Sequence, residues 1–359
     1  MFHLRVRTIL IALTLLGFAG LGIYFDSQAQ TPMPVMTNTQ PPMNLRPKIP
    51  ATTDERRRSL AEIRSISDRV VTENFPSDLQ IAASLAQPSR QDATVAVVTD
   101  PFSKVTAEGV YVLTINTETN NVETIYSRRG RTAFPIASIS KMMALVTSDL
   151  TAAATTSVVI STSTKAIYPK DTLFTIGDRW TKEDLIPAIV IPSNNVAIEA
   201  LAELHGVQDF VETMNSMSKE IGMTGTKFVN ATGLDEATAS NMATPRDVAI
   251  LGAYLIKNRP DILALSRLTT HSFTRSDGVE TTLRNTNGSL TDESIPWPVV
   301  GGKTGTTARA GQALLLVTES PIKDTYIVAV VLRSQSRTKD MAAVLNGIKQ
   351  LSSFAPFIQ

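Results

Sequence analysis

The sequence predicts an α+β fold, in which an antiparallel sheet fed from both ends of a globular region is covered by helices. Three observations predict it. Two strand-forming runs lie early, near residues 110–126, and two more lie late, near residues 313–332. The long stretch between them carries helical spacing and helix caps. An amphipathic segment follows the late strands.

Taken in order, residues 110–115 and 122–126 are rich in β-branched and aromatic side chains, and Asn120-Asn121 between them suits a hairpin turn. Pro135 precedes a helical pattern that runs to Leu150. Thr181 begins a T-x-x-D capping box ahead of Leu185, Ile186, Ile189 and Val190. Thr244-Pro245 opens a further helix, with the hydroxyl at the N-cap and proline in the first turn. Residues 313–317 and 326–332 read as strands joined by a turn around Pro321 and Asp324. Met341, Val344, Leu345, Ile348 and Leu351 then mark one apolar face of a helix.

Four segments are expected. Residues 1–25 read as a signal-anchor or transmembrane helix. Arg5 and Arg7 precede an uncharged run over residues 8–25 that is long enough to span a bilayer. The two arginines should stay cytoplasmic, which places the rest of the chain outside. Ser27-Gln28-Ala29 offers a cleavage site, but the length of the run favours an uncleaved anchor. Residues 26–54, rich in Pro, Gln, Thr and Asn, read as a disordered linker. Residues 55–91 read as a juxtamembrane helical segment, with Arg56-Arg57-Arg58 ahead of apolar Leu60, Ile63, Ile66 and Val70. The globular domain is expected over residues 92–359.

Composition narrows the chemistry. The 359 residues suffice for a sizeable core, and 34 basic against 33 acidic residues give a formal charge of +1. Nothing in that balance points to a nucleic-acid partner. There is no Cys, which excludes thiol nucleophiles, disulfides and Cys-ligated metals. The three His are His3, His205 and His271; no H-E-x-x-H exists, and no metal or other cofactor is expected. A Ser-His-Asp triad would need one of these His residues, and neither His205 nor His271 lies in a nucleophile-elbow context.

What remains is a set of short motifs in one order: Ser138-Ile139-Ser140-Lys141, then Ser193-Asn194-Asn195, then Lys303-Thr304-Gly305. S-x-x-K also occurs at Ser216-Lys219, Ser320-Lys323 and Ser336-Lys339, but each of these follows Ser193. S-x-N and K-T-G occur once each. Ser138 and Lys141, three apart on a helix, would share a face. A serine hydroxyl needs a base to become a good nucleophile. Lys141 serves only as a neutral amine, a form favoured by burial and by a second cation nearby, for which Lys303 is the candidate. A helix start offers free N–H groups to an oxyanion. Ser193 is a hydroxyl able to relay a proton between Lys141 and a leaving amine, and Asn195 can donate to and accept from a peptide. K-T-G ahead of the Leu314 strand suggests a strand edge that pairs with an extended substrate, with Gly305 permitting close approach. Lys303, Thr304 and Thr306 suit a carboxylate. Separately, each motif reads equally well as a turn and N-cap, a strand entry or an exposed helical lysine; the three in order point to acyl transfer.

The three motifs match those of the active-site-serine penicillin-recognising enzymes, and the chain resembles their D-alanyl-D-alanine carboxypeptidases. The likeness spans about residues 107 to 335. It runs through Phe134-Pro135-Ile136-Ala137-Ser138, Gly222-Met223, Gly233-Leu234-Asp235, Asn285-Thr286-Asn287 and Gly302 to Thr307. The resemblance implies a DD-peptidase/β-lactamase-like fold, with a mostly antiparallel five-stranded sheet, flanking helices and a helical middle region. It implies a serine DD-peptidase catalytic domain that removes the terminal D-Ala from peptidoglycan stem peptides ending in D-Ala-D-Ala, through an acyl-enzyme on Ser138. β-Lactam antibiotics would be covalent inhibitors. Carried over by position, Lys141 is the base, Ser193 the relay and Asn195 the substrate-orienting amide. Lys303, Thr304 and Thr306 hold the terminal carboxylate, and the backbone N–H groups of Ser138 and Thr306 form the oxyanion hole. The chain departs from the family at Val196, where many members are acidic, and at Thr306, a frequent His or Tyr. It ends soon after the last helix, so the N-terminal segment is expected to replace the C-terminal anchor of many relatives. The competing readings are a serine β-lactamase, a DD-endopeptidase and a non-catalytic cell-wall-binding protein. For a class A β-lactamase, Glu236 lies in the right region, but the E-x-x-L-N pattern fails there.

Overall fold

The computed structural model describes residues 100–354. In chain order it gives β1 (Gly109–Asn116), β2 (Val122–Arg128), β3 (Phe134–Pro135), α1 (Ser140–Thr151), β4 (Ser157–Val159), α2 (Thr162–Ile167), β5 (Arg179–Thr181) and α3 (Lys182–Val190). There follow α4 (Asn195–His205), α5 (Val207–Glu220), β6 (Met242–Ala243), α6 (Pro245–Asn258), α7 (Pro260–Ser266), β7 (Thr270–Thr274) and β8 (Glu280–Arg284). The described chain finishes with β9 (Val299–Thr307), β10 (Gly311–Glu319), β11 (Thr325–Ser334) and α8 (Arg337–Phe354). The segments expected over residues 1–25, 26–54 and 55–91 lie outside the described residues. Among the described residues, no helix is long and apolar enough to cross a membrane.

The main sheet has five antiparallel strands in the order β2-β1-β11-β10-β9. Early and late strands thus meet in the middle, at the β1–β11 pair, as the pattern of runs predicts. The β1–β2 hairpin turns through Asn120, whose φ of 57° is the left-handed conformation that Asn tolerates well. The β10–β11 turn uses Asp324 in the same way, at φ 56°.

Both sheet faces are covered, and side-chain alternation divides them. Tyr111, Leu113 and Ile115 of β1 join the larger core, built with α1, α3, α4, α5 and α6. Val110 and Val112 face the other way, onto Met341, Val344, Leu345 and Ile348 of α8. Each such fully buried side chain contributes about 1.5–3 kcal/mol relative to exposure, so the apolar stripe of α8 suffices to dock that helix.

The predicted caps form. Thr181 accepts from the Asp184 N–H while Asp184 reaches back to the Thr181 N–H, closing the capping box of α3. Thr244 caps α6 with Pro245 in the first turn. Two details differ from expectation. Ser138 lies in a single 3-10 turn, Ala137–Ile139, that feeds α1, rather than within the α-helix. K-T-G does not precede a strand but lies inside one, β9, which is the edge of the sheet.

Candidate active site

The turn that carries Ser138 is clamped from two sides by glycine. A Cβ on Gly305 of β9 would stand 2.5 Å from the Ile136 carbonyl oxygen and 3.3 Å from the Ser138 nitrogen. One on Gly233, which has φ +83°, would stand 2.0 Å from the Ala137 oxygen. Only bare backbone fits on either side. The close approach that Gly305 permits is therefore to the nucleophile's own turn, a role the motif alone did not reveal. Ala137 itself takes φ 48°, and its carbonyl accepts from Ser140 Oγ at 2.7 Å.

The 3-10 geometry stacks residues three apart. Lys141 Nζ accordingly lies 2.9 Å from Ser138 Oγ, at the first turn of α1. Its two other neighbours are oxygens, Asn195 Oδ1 at 2.7 Å and the Thr232 carbonyl at 2.6 Å. A neutral amine has two N–H donors and one lone pair. With both donors directed to those two oxygens, the lone pair falls on the serine hydroxyl. Lys141 is fully buried, and burial, then the charge of Lys303, hold its pKa well below the usual lysine value, against a smaller upward pull from Glu199.

Ser193 and Asn195 come from the loop into α4. Asn194 caps that helix, its side chain accepting from the Ala197 N–H at 2.9 Å. The cap fixes its two neighbours: Asn195 begins the helix toward Lys141, and Ser193 is held at φ 62°. A left-handed serine costs about 1–3 kcal/mol and persists where its surroundings over-determine it. Here the partner is Lys303, whose Nζ donates to Ser193 Oγ at 2.8 Å. The Ser193 hydroxyl, the expected relay, is thus hydrogen-bonded to Lys303.

Lys303 is 1% exposed, and burial, then the Arg337 guanidinium, bring its pKa down to about 7. Thr304 is buried and shares a 2.6 Å hydrogen bond with Thr286 Oγ1. Thr306 is exposed, and its hydroxyl accepts from Arg337 Nη1 at 2.5 Å. The Gly302 N–H points off the sheet edge, to Ser266 Oγ at 2.9 Å. Strand alternation gives Thr304 and Thr306 N–H the same outward direction. Hydrogen bonds thereby join Ser138, Lys141 and Asn195 in one group and Ser193 and Lys303 in a second. Gly305 touches the Ser138 turn, and Thr304 and Thr306 flank it on β9.

The other Ser-Lys pairs end in exposed lysines: Lys219, Lys323 and Lys339. Glu236 is exposed and accepts from Asn230 Nδ2 at 3.0 Å. Sequence reasoning missed Arg337, which follows Ser336 in no recognisable motif, and the Thr232 carbonyl, a backbone group with no residue signature. It also missed Tyr168 and Glu199. Tyr168, with Ser193 and Asn195, lines an open cavity of about 490 Å³.

Comparison with known proteins follows this geometry. The sequence signature of the D-alanyl-D-alanine carboxypeptidase family matches residues 94–336. The D-alanyl-D-alanine carboxypeptidase DacC of Escherichia coli K12 is 33% identical over 45% of this chain and 38% of its own length. The D-alanyl-D-alanine endopeptidase of the same organism is 29% identical over 68% of this chain and 77% of its own. The chain spans about a third of the length of the Escherichia coli and Haemophilus influenzae carboxypeptidases that it matches, 38% and 32%. Among solved structures, penicillin-binding protein D2 of Listeria monocytogenes in its ampicillin-bound form is 25% identical with a TM-score of 0.54. That alignment covers 69% of this chain and 96% of that one.

Proposed function

The chain belongs to the D-alanyl-D-alanine carboxypeptidase family, and from that premise we propose that it removes the terminal D-Ala of peptidoglycan stem peptides by acyl transfer through Ser138. The observation that carries this reading is the buried Lys141 amine, 2.9 Å from Ser138 Oγ with carbonyl oxygens as its other partners. Among the described residues no carboxylate ion-pairs with Lys141 to hold it as an ammonium, and the neutral amine keeps a lone pair for the serine proton.

The steps follow from the groups present. Ser138 Oγ attacks the penultimate D-Ala carbonyl while its proton passes to Lys141 Nζ. The oxyanion is met by the Ser138 and Thr306 N–H groups. Collapse breaks the C–N bond, and the departing amine takes a proton from Ser193 Oγ, which Lys303 Nζ refills. Water then attacks the ester and gives its proton back along Ser193 to Lys303, while Lys141 returns its own to Ser138. Asn195 orients the peptide. Lys303, Thr304 and Thr306 grip the terminal carboxylate, and Arg337, bonded to Thr306, adds a second cation to that grip. A β-lactam, whose strained amide presents the same carbonyl, would acylate Ser138 and stay.

Incubating the full chain with a stem pentapeptide and measuring released D-Ala tests the reading; no release, with Ser138 unlabelled by penicillin, would sink it. The similarity to an endopeptidase over 77% of that protein's length favours a second substrate, a cross-linked stem dimer. Cleavage of the dimer faster than the pentapeptide would reassign the preference. The residues 8–25 run anchors the enzyme at the extracytoplasmic face of the membrane in this reading, supported by its uncharged length and basic flank. Recovery of the intact chain in the soluble fraction of lysed cells would contradict it.

A further inference from the structure

Glu199 is a buried carboxyl group that the steps above do not use. It lies on α4 one turn beyond Asn195, so the two side chains share a helix face, and Asn195 Oδ1 touches Lys141 Nζ at 2.7 Å. Glu199 is 7% exposed, and it makes no ion pair among the described residues. Buried acids ordinarily have a cation or a donor. The group that favours its charged form is the Tyr168 phenol, which also neighbours the Thr232 side chain. Thr232 is also the residue whose carbonyl lies 2.6 Å from Lys141 Nζ.

We propose that Glu199 is a positioning residue for acyl transfer, a carboxylate, one turn from the Asn195 that holds Lys141, that serves as counter-charge to the ammonium Lys141 becomes on taking the Ser138 proton. This rests on the acyl-transfer reading of the site. In that step the proton moves from Ser138 Oγ to Lys141 Nζ as the Oγ–carbon bond forms, and Glu199 neither gains nor loses a proton. The charged groups facing Lys141 are Lys303 from β9, which repels the new ammonium, and Glu199 from α4, which attracts it. Around Glu199 stand Glu203 from its own helix, Glu236 from the loop after Gly233, Tyr168 from the segment after α2, and Lys141 from α1. Burial, then Glu203 and Glu236, push the Glu199 carboxyl up, Tyr168 and Lys141 draw it down, and the balance lies above the usual carboxylate value. The phenol, pushed up to about 12, stays a donor throughout the working range.

The expected signature has two parts. Without the counter-charge, the Lys141 ammonium loses its proton at lower pH, and the amine is a weaker base. In Glu199→Gln, the acid limb of Ser138 acylation by benzylpenicillin should therefore move down by at least about 0.5 pH unit. The plateau rate should fall about 3- to 10-fold. Glu199→Asp, which keeps the charge, should restore both. Tyr168→Phe should move the limb in the same direction by less, and should add nothing to Glu199→Gln in the double variant. The rates are measured on the full chain from about pH 5 to about pH 10. A lowered plateau with an unmoved limb would make Glu199 a packing residue and overturn the proposal, as would native behaviour in both. If Glu199→Gln does not fold, Tyr168→Phe decides, and a native limb there is equally fatal. Failure of penicillin to acylate Ser138 in the native chain is a separate outcome, which removes the acyl-transfer reading itself.

Discussion

The candidate site has two walls, the Ser138 side and strand β9, and each buries a lysine with different neighbours. On the wall made by the Ser138 turn, α4 and the Thr232 segment, Lys141 meets carbonyl oxygens and a serine hydroxyl. On the β9 wall, Lys303 meets a hydroxyl and the field of a guanidinium. Burial lowers both. The neighbours decide the rest: neutral acceptors leave Lys141 a lone pair directed at a proton, whereas Arg337 makes the Lys303 side a concentration of positive charge suited to an anion. In the proposed mechanism one residue type thus serves on one side as the base for Ser138 and on the other as the cation that meets the carboxylate and supplies the relay proton, according to what is packed beside it.

The most drastic way to break this comparison is on the Lys141 wall. Ser138→Ala should abolish covalent labelling by penicillin. Lys141→Arg keeps a cation but no usable base near neutral pH. Acylation should fall by at least about 100-fold. A variant that keeps a third of native acylation would show that Lys141 is not the base.

On the β9 wall the expected loss is smaller and depends on the substrate's carboxylate. Amidating the C-terminus of the stem peptide removes a charge-assisted bond of about 1.5–3 kcal/mol. That should cut kcat/KM about 10- to 100-fold in the native enzyme. The same amidation should cost much less in a Lys303→Ala, Thr306→Val variant, where the grip is already gone. An equal penalty in both enzymes would place carboxylate recognition elsewhere.

The walls meet at Gly305, so a methyl group there should strain both. Gly305→Ala forces a Cβ toward the Ile136 oxygen at 2.5 Å and the Ala137 Cβ at 3.1 Å. The expected cost is about 1–3 kcal/mol of stability, read from denaturant unfolding. Unchanged stability would mean that the turn is free to shift away from β9.

These contacts also show what the sequence could and could not convey. Capping at Thr181 and Thr244 and the apolar face of α8 depend on residues a few positions apart, and so are local signals. The motif order located Ser138, Lys141, Ser193, Asn195 and Lys303, because side-chain chemistry marks them. Backbone groups carry no such mark. The Thr232 carbonyl that receives Lys141, and the peptide clamped between Gly233 and Gly305, follow only from tertiary approach. Arg337 is placed by the register between β10 and β11, which sets where α8 begins. The Lys303–Ser193 hydrogen bond is of the same kind, because residues far apart in the sequence meet only through tertiary approach.

The smallest expected effect tests whether the two lysines titrate as separate sites. Burial is the larger cause of the low Lys303 value and Arg337 the smaller. Arg337→Gln removes a like charge, so Lys303 should hold its proton to higher pH. Lys303 binds a carboxylate as an ammonium, and at a value of about 7 that grip weakens as pH rises through neutrality. The alkaline rise of KM for the stem peptide should therefore move up, by about half a unit. KM itself should worsen at every pH, since the guanidinium bonded to Thr306 is lost, but the position of the limb does not depend on that. The acid limb of penicillin acylation reports Lys141, which feels Arg337 only through Lys303. A more fully charged Lys303 repels a proton on Lys141, so this limb should move the other way, downward, and by less. Opposite movements of unequal size would sharpen the distinction between base and anion grip. Equal movements in one direction would mean that the pair shares its protons, with apparent values that belong to neither lysine.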